Sequence, residues 1–476
     1  LYFDAESRLL FINSSRSVDG RYATIAESLA PDAQPLATGQ VGRVVRGINN
    51  QRIFNVGMRN IQAANRAESY RIIAGSDTQG AITPADSRRY RQGHVFLAGD
   101  ENGQKTTIGY SSGSKVWGGA VFQIPDLVEW CHTLGQKIRS PEAIVTHSGL
   151  DYLAAGRVVD AVPPQLIHAE WNRDAFDLER PVCIEYLKDD GTLCRGLLLD
   201  LDLELDREGT DTRSVRVVVS ADGLCVGVTF TLQEFYTASA ADESRVTVSR
   251  GNSTCTLVDY LNESYLNFYS VDGALFSGNE LFEPKDNAQP IDDAQLRVWD
   301  WTGVDIQSEV DESARGCSIH GHVRAKLEAG DATIILYDHG SGEVADFVAI
   351  TERPDAVAFK LYHCKGSGGE APGARVADVY EVCGQAQKSV VWTSLIRLEK
   401  RLRQRRGRTV VLRGTEAELR RLMDRAKEAR HPFEIVIVQP GISKASLSAV
   451  MAESLGATNS HLVGAGLAPL EVVASE

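Results

Sequence analysis

Glu343-Val-Ala-Asp346-Phe-Val-Ala-Ile350, a short polar turn, and Ala358-Phe-Lys-Leu-Tyr-His363-Cys-Lys365 decide how this chain is read. Both runs are rich in apolar and β-branched residues, as paired strands are, and Thr351-Glu-Arg-Pro-Asp355 between them supplies a reversal. Upstream, residues 333–338 (Thr-Ile-Ile-Leu-Tyr-Asp) predict another strand, and His339-Gly-Ser-Gly342 carries turn chemistry. The spacing therefore predicts a meander with strands over 333–338, 343–350 and 357–364. A reversal symmetric about Arg353 and Pro354 sets position 361 opposite Asp346. Positions 363 and 365 then share its face, because side chains alternate with period two. Asp346, His363 and Lys365 converge at one end of the meander in this register, which a one-residue slip would undo.

Those residue types have a chemistry in common. An aspartate holds a hard divalent cation through oxygen, and the ion lowers the pKa of a bound water and offsets charge on a scissile phosphate. A lysine nearby orients or deprotonates that water, or stabilises the charge that develops on phosphorus. Asp346 and Lys365 are thus the minimum equipment for metal-dependent cleavage of a phosphodiester. Lysine and aspartate on adjacent strands also form ordinary surface ion pairs, so the surrounding order of elements has to carry weight.

That order is a helix over about 312–328, a strand, a strand with Asp346, a strand ending in His363-Cys-Lys365, and a helix containing Gln385. It resembles the PD-(D/E)xK nuclease fold, nearest to its restriction-endonuclease-like branch. Residues 306–476 also resemble the C-terminal nuclease-like region of large bacterial helicase-type proteins linked to defence against phage. The phrases that carry the likeness are Gly342-Glu-Val-Ala-Asp346, Tyr362-His-Cys-Lys365, Val379-Tyr-Glu-Val-Cys-Gly-Gln385 and Ile435-Val-Ile-Val-Gln-Pro-Gly441. The resemblance implies a DNA endonuclease, acting on double-stranded DNA with Mg²⁺ or Mn²⁺, and a helicase-type motor in the same polypeptide or complex. It casts Asp346 as metal ligand, Lys365 as the residue assisting water, and Gln385 as a positioning residue facing the cleft. One position departs from the pattern: His363 stands where a second acid is usual. Imidazole suits Mn²⁺ or Zn²⁺ better than Mg²⁺. His363 is then a ligand or a supporting group, with Glu343 or Glu312 supplying the missing carboxylate. The alternative is a degenerate nuclease fold that binds DNA or a partner without cutting.

Charge adds a second signal. The whole chain carries a net charge of −14, which argues against a protein that coats nucleic acid by bulk electrostatics. Residues 391–430, however, hold thirteen Lys or Arg against five Asp or Glu. Arg397, Lys400, Arg401, Arg403, Arg405 and Arg406 fall on one predicted helix and its exit, where they are expected to meet a DNA backbone; a solvated helix is the plainer alternative. Cys364 beside His363 is not a nucleophile pair, since neighbours on a strand point to opposite faces, and a small core residue is expected instead.

At 476 residues the chain exceeds one core, and three domains are expected. Residues 1–165 predict a mixed β-rich domain, with strands at Leu9–Asn13, Tyr70–Ala74, His94–Ala98 and Lys105–Tyr110 and helices at Asn60–Ala67 and Asp126–Ile138. Residues 166–305 predict a β-sandwich or barrel, with strands such as Val182–Leu187, Leu193–Leu199 and Val215–Ser220. Residues 306–476 form the nuclease-like α/β domain. The two β-rich domains are expected to hold DNA or a partner. The chain starts at Leu1 within an apolar run, so a fragment or processed product is expected. No apolar run approaches the ~20 residues that span a membrane. Eight cysteines without a C-x-x-C pair predict neither a zinc ribbon nor a disulfide framework and fit a reducing cytoplasm.

Several local patterns are weighed and set aside. Asp200-Leu-Asp-Leu-Glu-Leu-Asp206 predicts a strand with one wet face. Gly109-Tyr-Ser111-Ser-Gly113 matches a hydrolase elbow but lacks the helix that must follow. On a helix, the rings of His320-Gly-His322 lie about 200° apart, which disfavours joint metal binding. Arg88-Arg89-Tyr90-Arg91 is either a basic surface or charge flanking a core tyrosine. No Walker-type loop appears.

Overall fold

The computed structural model describes every residue except 14–21, 31–34, 63, 65–66, 120–122, 142–148, 155, 178, 207–210, 233–235, 243–244, 252, 286–289, 311–316 and 374. It is mixed α/β and rich in sheets, and it divides into two compact units. No helix among the described residues is long and apolar enough to cross a membrane.

The first unit spans Leu1–Gln79 and Ser87–Asp286, so the boundary expected near 165 falls inside it. Its N-terminal part is a five-stranded antiparallel sheet in the order Tyr70–Ala74, Asn49–Asn60, Tyr90–Glu101, Gln104–Ser111, Lys115–Gly118. The helix expected over Asn60–Ala67 is not there at its start, because Asn60 closes the long strand and pairs with Tyr90. Ser111 lies in a hairpin, which removes the elbow reading. Tyr90 and Arg91 are buried, with the Arg91 guanidinium 4.4 Å over the Phe282 ring, so this arginine is not part of a basic surface. Three further antiparallel sheets follow, and Val215, Val217, Val219, Val228, Phe230 and Phe268 lie at the centre of their shared core. Asp202–Asp206 is a strand whose aspartate and glutamate at 202 and 204 are exposed, as the alternation predicts.

The second unit comprises Gly80–Asp86 and Asn287–Glu476, and therefore starts before the expected 306. Its elements are β1 (Leu296–Val298), α1 (Ile319–Glu328), β2 (Ile334–Tyr337), β3 (Phe347–Glu352), β4 (Val357–Cys364), α2 (Val376–Lys388), α3 (Leu395–Gln404), β5 (Val410–Arg413), α4 (Glu416–Glu428), β6 (Phe433–Ser443), α5 (Ala449–Gly464) and β7 (Glu471–Ser475). The seven strands form one sheet in the order β1-β7-β6-β4-β3-β2-β5. β1, β7, β6 and β4 run parallel, while β4-β3-β2-β5 are antiparallel neighbours. Helices α2 to α5 cover one face, burying Val382, Leu398, Leu422 and Leu455 against Val348, Phe359, Leu361 and Ile435. Helix α1 covers the other, burying Ile319, Val323 and Leu327 against Ile335, Phe347 and Val436. Two-sided cover explains the unbroken apolar run Ile435–Val438 in β6. Each fully buried Ile, Leu or Phe contributes roughly 1.5–3 kcal/mol of transfer free energy.

The meander is present, but its details differ from the expectation. The chain reverses about Pro354 and Asp355, pairing Glu352 with Val357 and Phe347 with Tyr362. That register is two residues from the expected one, so parity along the strands is kept. The middle strand also starts at Phe347 rather than 343, which leaves Asp346 in the preceding turn and free to aim away from its strand's alternation.

Candidate metal centre

Asp346 sits where the 338–346 turn enters β3, beside the C-terminal end of β4, and only 1 % of its surface is exposed. A carboxylate buried this deeply needs partners. The Cys364 peptide N–H donates to Oδ2 at 2.8 Å, and His339 Nδ1 lies 2.7 Å from Oδ1. His320 Nε2 approaches the same oxygen at 3.7 Å from the first turn of α1. Burial alone would raise the Asp346 pKa, but the hydrogen bond with His339 and the neighbouring imidazole of His320 outweigh it and hold the acid below its usual range.

The turn itself explains why these groups meet. Asp338 is fully buried; its Oδ2 accepts from the Val344 N–H at 2.9 Å, and its own N–H donates to the Asp346 carbonyl at 3.0 Å. Arg405, at the end of α3, donates to Asp338 Oδ1 at 2.7 Å, to the Asp338 carbonyl at 2.8 Å and to the Ser341 carbonyl at 2.7 Å. Arg401 clasps the Gly342 carbonyl, and Gly342 has φ 79°, where a Cβ would also strike that guanidinium. Held this way, the turn presents His339, Glu343 and Asp346 together. Glu343 Oε2 accepts the Gly340 N–H at 2.6 Å and lies 3.7 Å from His339 Nδ1. Burial, then the Asp346 charge, pushes the Glu343 pKa up, while the hydrogen bond to Asp346 raises that of His339.

Three overlapping groups have donor atoms within 4.8 Å of one another: His339, Glu343 and Asp346; His320, Asp346 and Cys364; Glu309, His320 and His339. These acidic and histidine groupings could hold a metal ion. Cys364 is buried and its thiol is pushed well above its ordinary pKa by burial and the Asp346 charge, so it is a core residue, as expected, and no thiolate.

The other expected site residues lie elsewhere. Lys365 pairs with Glu381 at 2.8 Å and Glu309 at 3.3 Å and forms no ion pair with Asp346. Burial would lower its pKa, but the two carboxylates outweigh that and keep it raised. It therefore borders the cluster through Glu309. His363 is turned to the α2 face, 2.6 Å from Ser389 Oγ, and burial drives its pKa down to about 4. Asp346 precedes the strand and makes its hydrogen bonds on the α1 side, so it forms no hydrogen bond with His363, although the two feel each other's charge. Gln385 is half-buried on α2 and its Oε1 has no hydrogen-bond partner among the described residues, like Nδ1 of His363. Glu312 lies outside the described residues.

The basic stretch is divided in the same way. Arg405 and Arg401, expected at a DNA backbone, are hydrogen-bonded to the 338–346 turn, and Arg405 is 4 % exposed. Arg397, Lys400, Arg403 and Arg406 are exposed. Arg403 pairs with Glu399 and Arg406 with Glu416. Beyond Lys365 the chain forms a glycine-rich loop into α2. Ser367, Gly368, Gly373, Arg375, Gln439 and Gly441 are among the residues lining a cavity of about 150 Å³ there, at the C-terminal ends of parallel β4 and β6.

Sequence reasoning missed His339, His320 and Glu309. His339 was visible as His-x₃-Glu-x₂-Asp within one turn, and His320 as a histidine on the buried face of an amphipathic helix. Glu309 has no local signal. The chain was compared with family models, curated proteins and solved structures, and nothing matches in any of the three.

Proposed function

We propose that the second unit is a metal-dependent DNA endonuclease of the restriction-endonuclease-like kind. One observation carries this reading: a buried aspartate with clustered metal-type donors lies at the end of β4, whose next residue is a lysine tied to that cluster through Glu309. A bound divalent ion, Mg²⁺ or Mn²⁺ in this reading, would activate a water and offset charge on the scissile phosphate. Asp346, Glu343 and His339 fit it as donors. Lys365 keeps its proton between two carboxylates, so its task is to donate to a phosphate oxygen rather than to act as the base. Exposed Arg397, Lys400, Arg403 and Arg406 would follow the duplex. By the likeness drawn from sequence, this module serves a helicase-type motor in cytoplasmic defence against phage.

Cleavage of plasmid and linear DNA with Mg²⁺, Mn²⁺ or chelator, comparing the chain with Lys365→Ala and Asp346→Asn, tests this. Cutting that needs metal and disappears in both variants is expected. Metal-dependent cutting that both variants retain would refute it. A second reading has its own support, since Lys365 pairs with glutamates and the hydrogen bond of His363 Nε2 goes to Ser389. It is a nuclease fold turned DNA- or partner-binding module, whose binding is indifferent to chelator.

A further inference from the structure

We infer that the ion at Asp346 is a first-row transition ion of the Zn²⁺ or Mn²⁺ class, bound through the imidazoles of His320 and His339, in preference to Mg²⁺. This rests on the metal dependence proposed above and specifies which ion the site selects.

The donor set is the first reason. Glu309 comes from the segment before α1, His320 from α1, and His339, Glu343 and Asp346 from the β2–β3 turn. Donors bound at ~2.1 Å around one ion stand about 3–4 Å apart. Here His339 Nδ1 to Asp346 Oδ1 is 2.7 Å, His320 Nε2 to Asp346 Oδ1 is 3.7 Å, and His339 Nδ1 to Glu343 Oε2 is 3.7 Å. Small side-chain movements convert these contacts into a coordination shell. Mg²⁺ prefers oxygen and keeps most of its water, whereas imidazole nitrogen suits the borderline ions.

The second reason is that His320 is held as a ligand would be. It is 4 % exposed, and its Nδ1 lies 3.1 Å from Tyr337 Oη, which leaves Nε2 aimed at Asp346. A ligating histidine characteristically donates its other N–H to such a partner, which fixes both ring and tautomer. The rings of His320 and His339 stand edge to face with centroids 4.8 Å apart, over Phe347.

Charge is the third. Arg405 is paired with Asp338, and Lys365 with Glu309 and Glu381. Asp346 and Glu343 form no ion pair with a lysine or arginine among the described residues, although the Arg405 charge is felt at Glu343; their close partners are imidazoles and peptide N–H groups. A divalent cation would supply what those two carboxylates lack. The plain alternative is a pair of core histidines hydrogen-bonded to a buried acid, and it differs in what it predicts.

The test is calorimetric titration of the chelator-treated chain with Zn²⁺, Mn²⁺ and Mg²⁺ in turn, repeated on His320→Gln and His339→Gln, with circular dichroism to check folding. One Zn²⁺ or Mn²⁺ per chain, at least about 100-fold tighter than Mg²⁺ and weakened roughly tenfold or more by each substitution, is expected. Should His320→Gln not fold, His339→Gln carries the comparison, since His339 lies in a half-exposed turn. Co²⁺ substitution reads the same ligands through paramagnetically shifted imidazole N–H resonances, which each variant should lose one at a time. Equal affinity for Mg²⁺ and Mn²⁺, or unchanged Zn²⁺ binding in folded variants, overturns the inference. DNA cleavage by Mg²⁺ with both histidines replaced overturns it too, while leaving the nuclease reading intact. Tight Zn²⁺ or Mn²⁺ binding without any cleavage does the reverse.

Discussion

Replacing Arg405 by alanine separates a buried structural arginine from a DNA-contacting one. Its guanidinium makes three hydrogen bonds of 2.7–2.8 Å to Asp338 and Ser341, and the side chains of the pair are 5 % and 0 % exposed. Removing it leaves the Asp338 carboxylate buried with only Thr409 Oγ and the Val344 N–H as partners. Breaking such a pair typically costs ~3–5 kcal/mol, chiefly because the remaining charge is uncompensated. At a urea m-value of about 2–3 kcal/mol/M, the midpoint of the second unit should fall by roughly 1–2.5 M. The double variant Arg405→Met, Asp338→Asn should recover much of that loss, since it leaves no buried charge.

Urea unfolding followed by far-UV circular dichroism measures this, with DNA binding recorded in parallel at several salt concentrations. If Arg405 served only to contact phosphate, its loss would leave stability within about 0.5 kcal/mol and lower the salt slope by about 1. That pattern would refute the buried-clasp account. The same variant should also loosen the turn carrying His339, Glu343 and Asp346, so metal affinity should drop together with stability.

Other outcomes follow from the same geometry. Arg397→Ala combined with Lys400→Ala should leave the urea midpoint unchanged while reducing the slope of log K against log salt by about 2, as expected for two exposed phosphate contacts. Lys365→Ala should cost only about 0–1 kcal/mol, since its glutamate partners are partly exposed, so any loss of cleavage would be chemical rather than structural. His363→Gln should leave metal binding intact where His339→Gln weakens it, because Nε2 of His363 is held by Ser389 whereas His339 Nδ1 touches Asp346 directly. In the first unit, His94 accepts at Nδ1 from Tyr70 Oη and Arg173, donates from Nε2 to Asn55, and has its pKa lowered by burial and by Arg173 from 6.5 to about 4. The unfolded chain therefore binds the extra proton first, and stability should fall as pH drops from about 6.5 toward 4. His94→Gln should flatten that part of the thermal-stability profile; an unchanged slope would refute it.

The fold was legible wherever one local pattern decided the outcome. Tyr70–Ala74 and Val182–Leu187 are strands at the residues expected, because alternating or β-branched runs between turn residues leave little choice. Of the helix expected over Asn60–Ala67, the first residue belongs instead to the strand Asn49–Asn60, whose pairing on both sides overrides local propensity, and residues 63, 65 and 66 lie outside the described residues. The boundary expected between residues 165 and 166 falls within one compact unit, because Pro163 and Pro164 mark a local turn and local turn chemistry does not report how many contacts cross it.

The site was half legible for a more specific reason. Asp346 and Lys365 stand out because they flank strands, and alternation is the strongest positional signal a sequence has. Alternation, however, fails where a strand ends, and both side chains lie just outside that limit, Asp346 before Phe347 and Lys365 after Cys364. Asp346 escapes the parity that tied it to His363 and turns toward α1, where His320 waits on the buried helix face. Arg401 and Arg405 show the same limit from the other side. A run of cations on an amphipathic helix looks uniform in sequence, yet helical phase sends Arg405 inward with Leu398 and Leu402 while Arg397, Lys400 and Arg403 face solvent. What distinguishes the clasp from the surface is the buried acid at 338, about 70 residues upstream, and that pairing exists only once the sheet has formed.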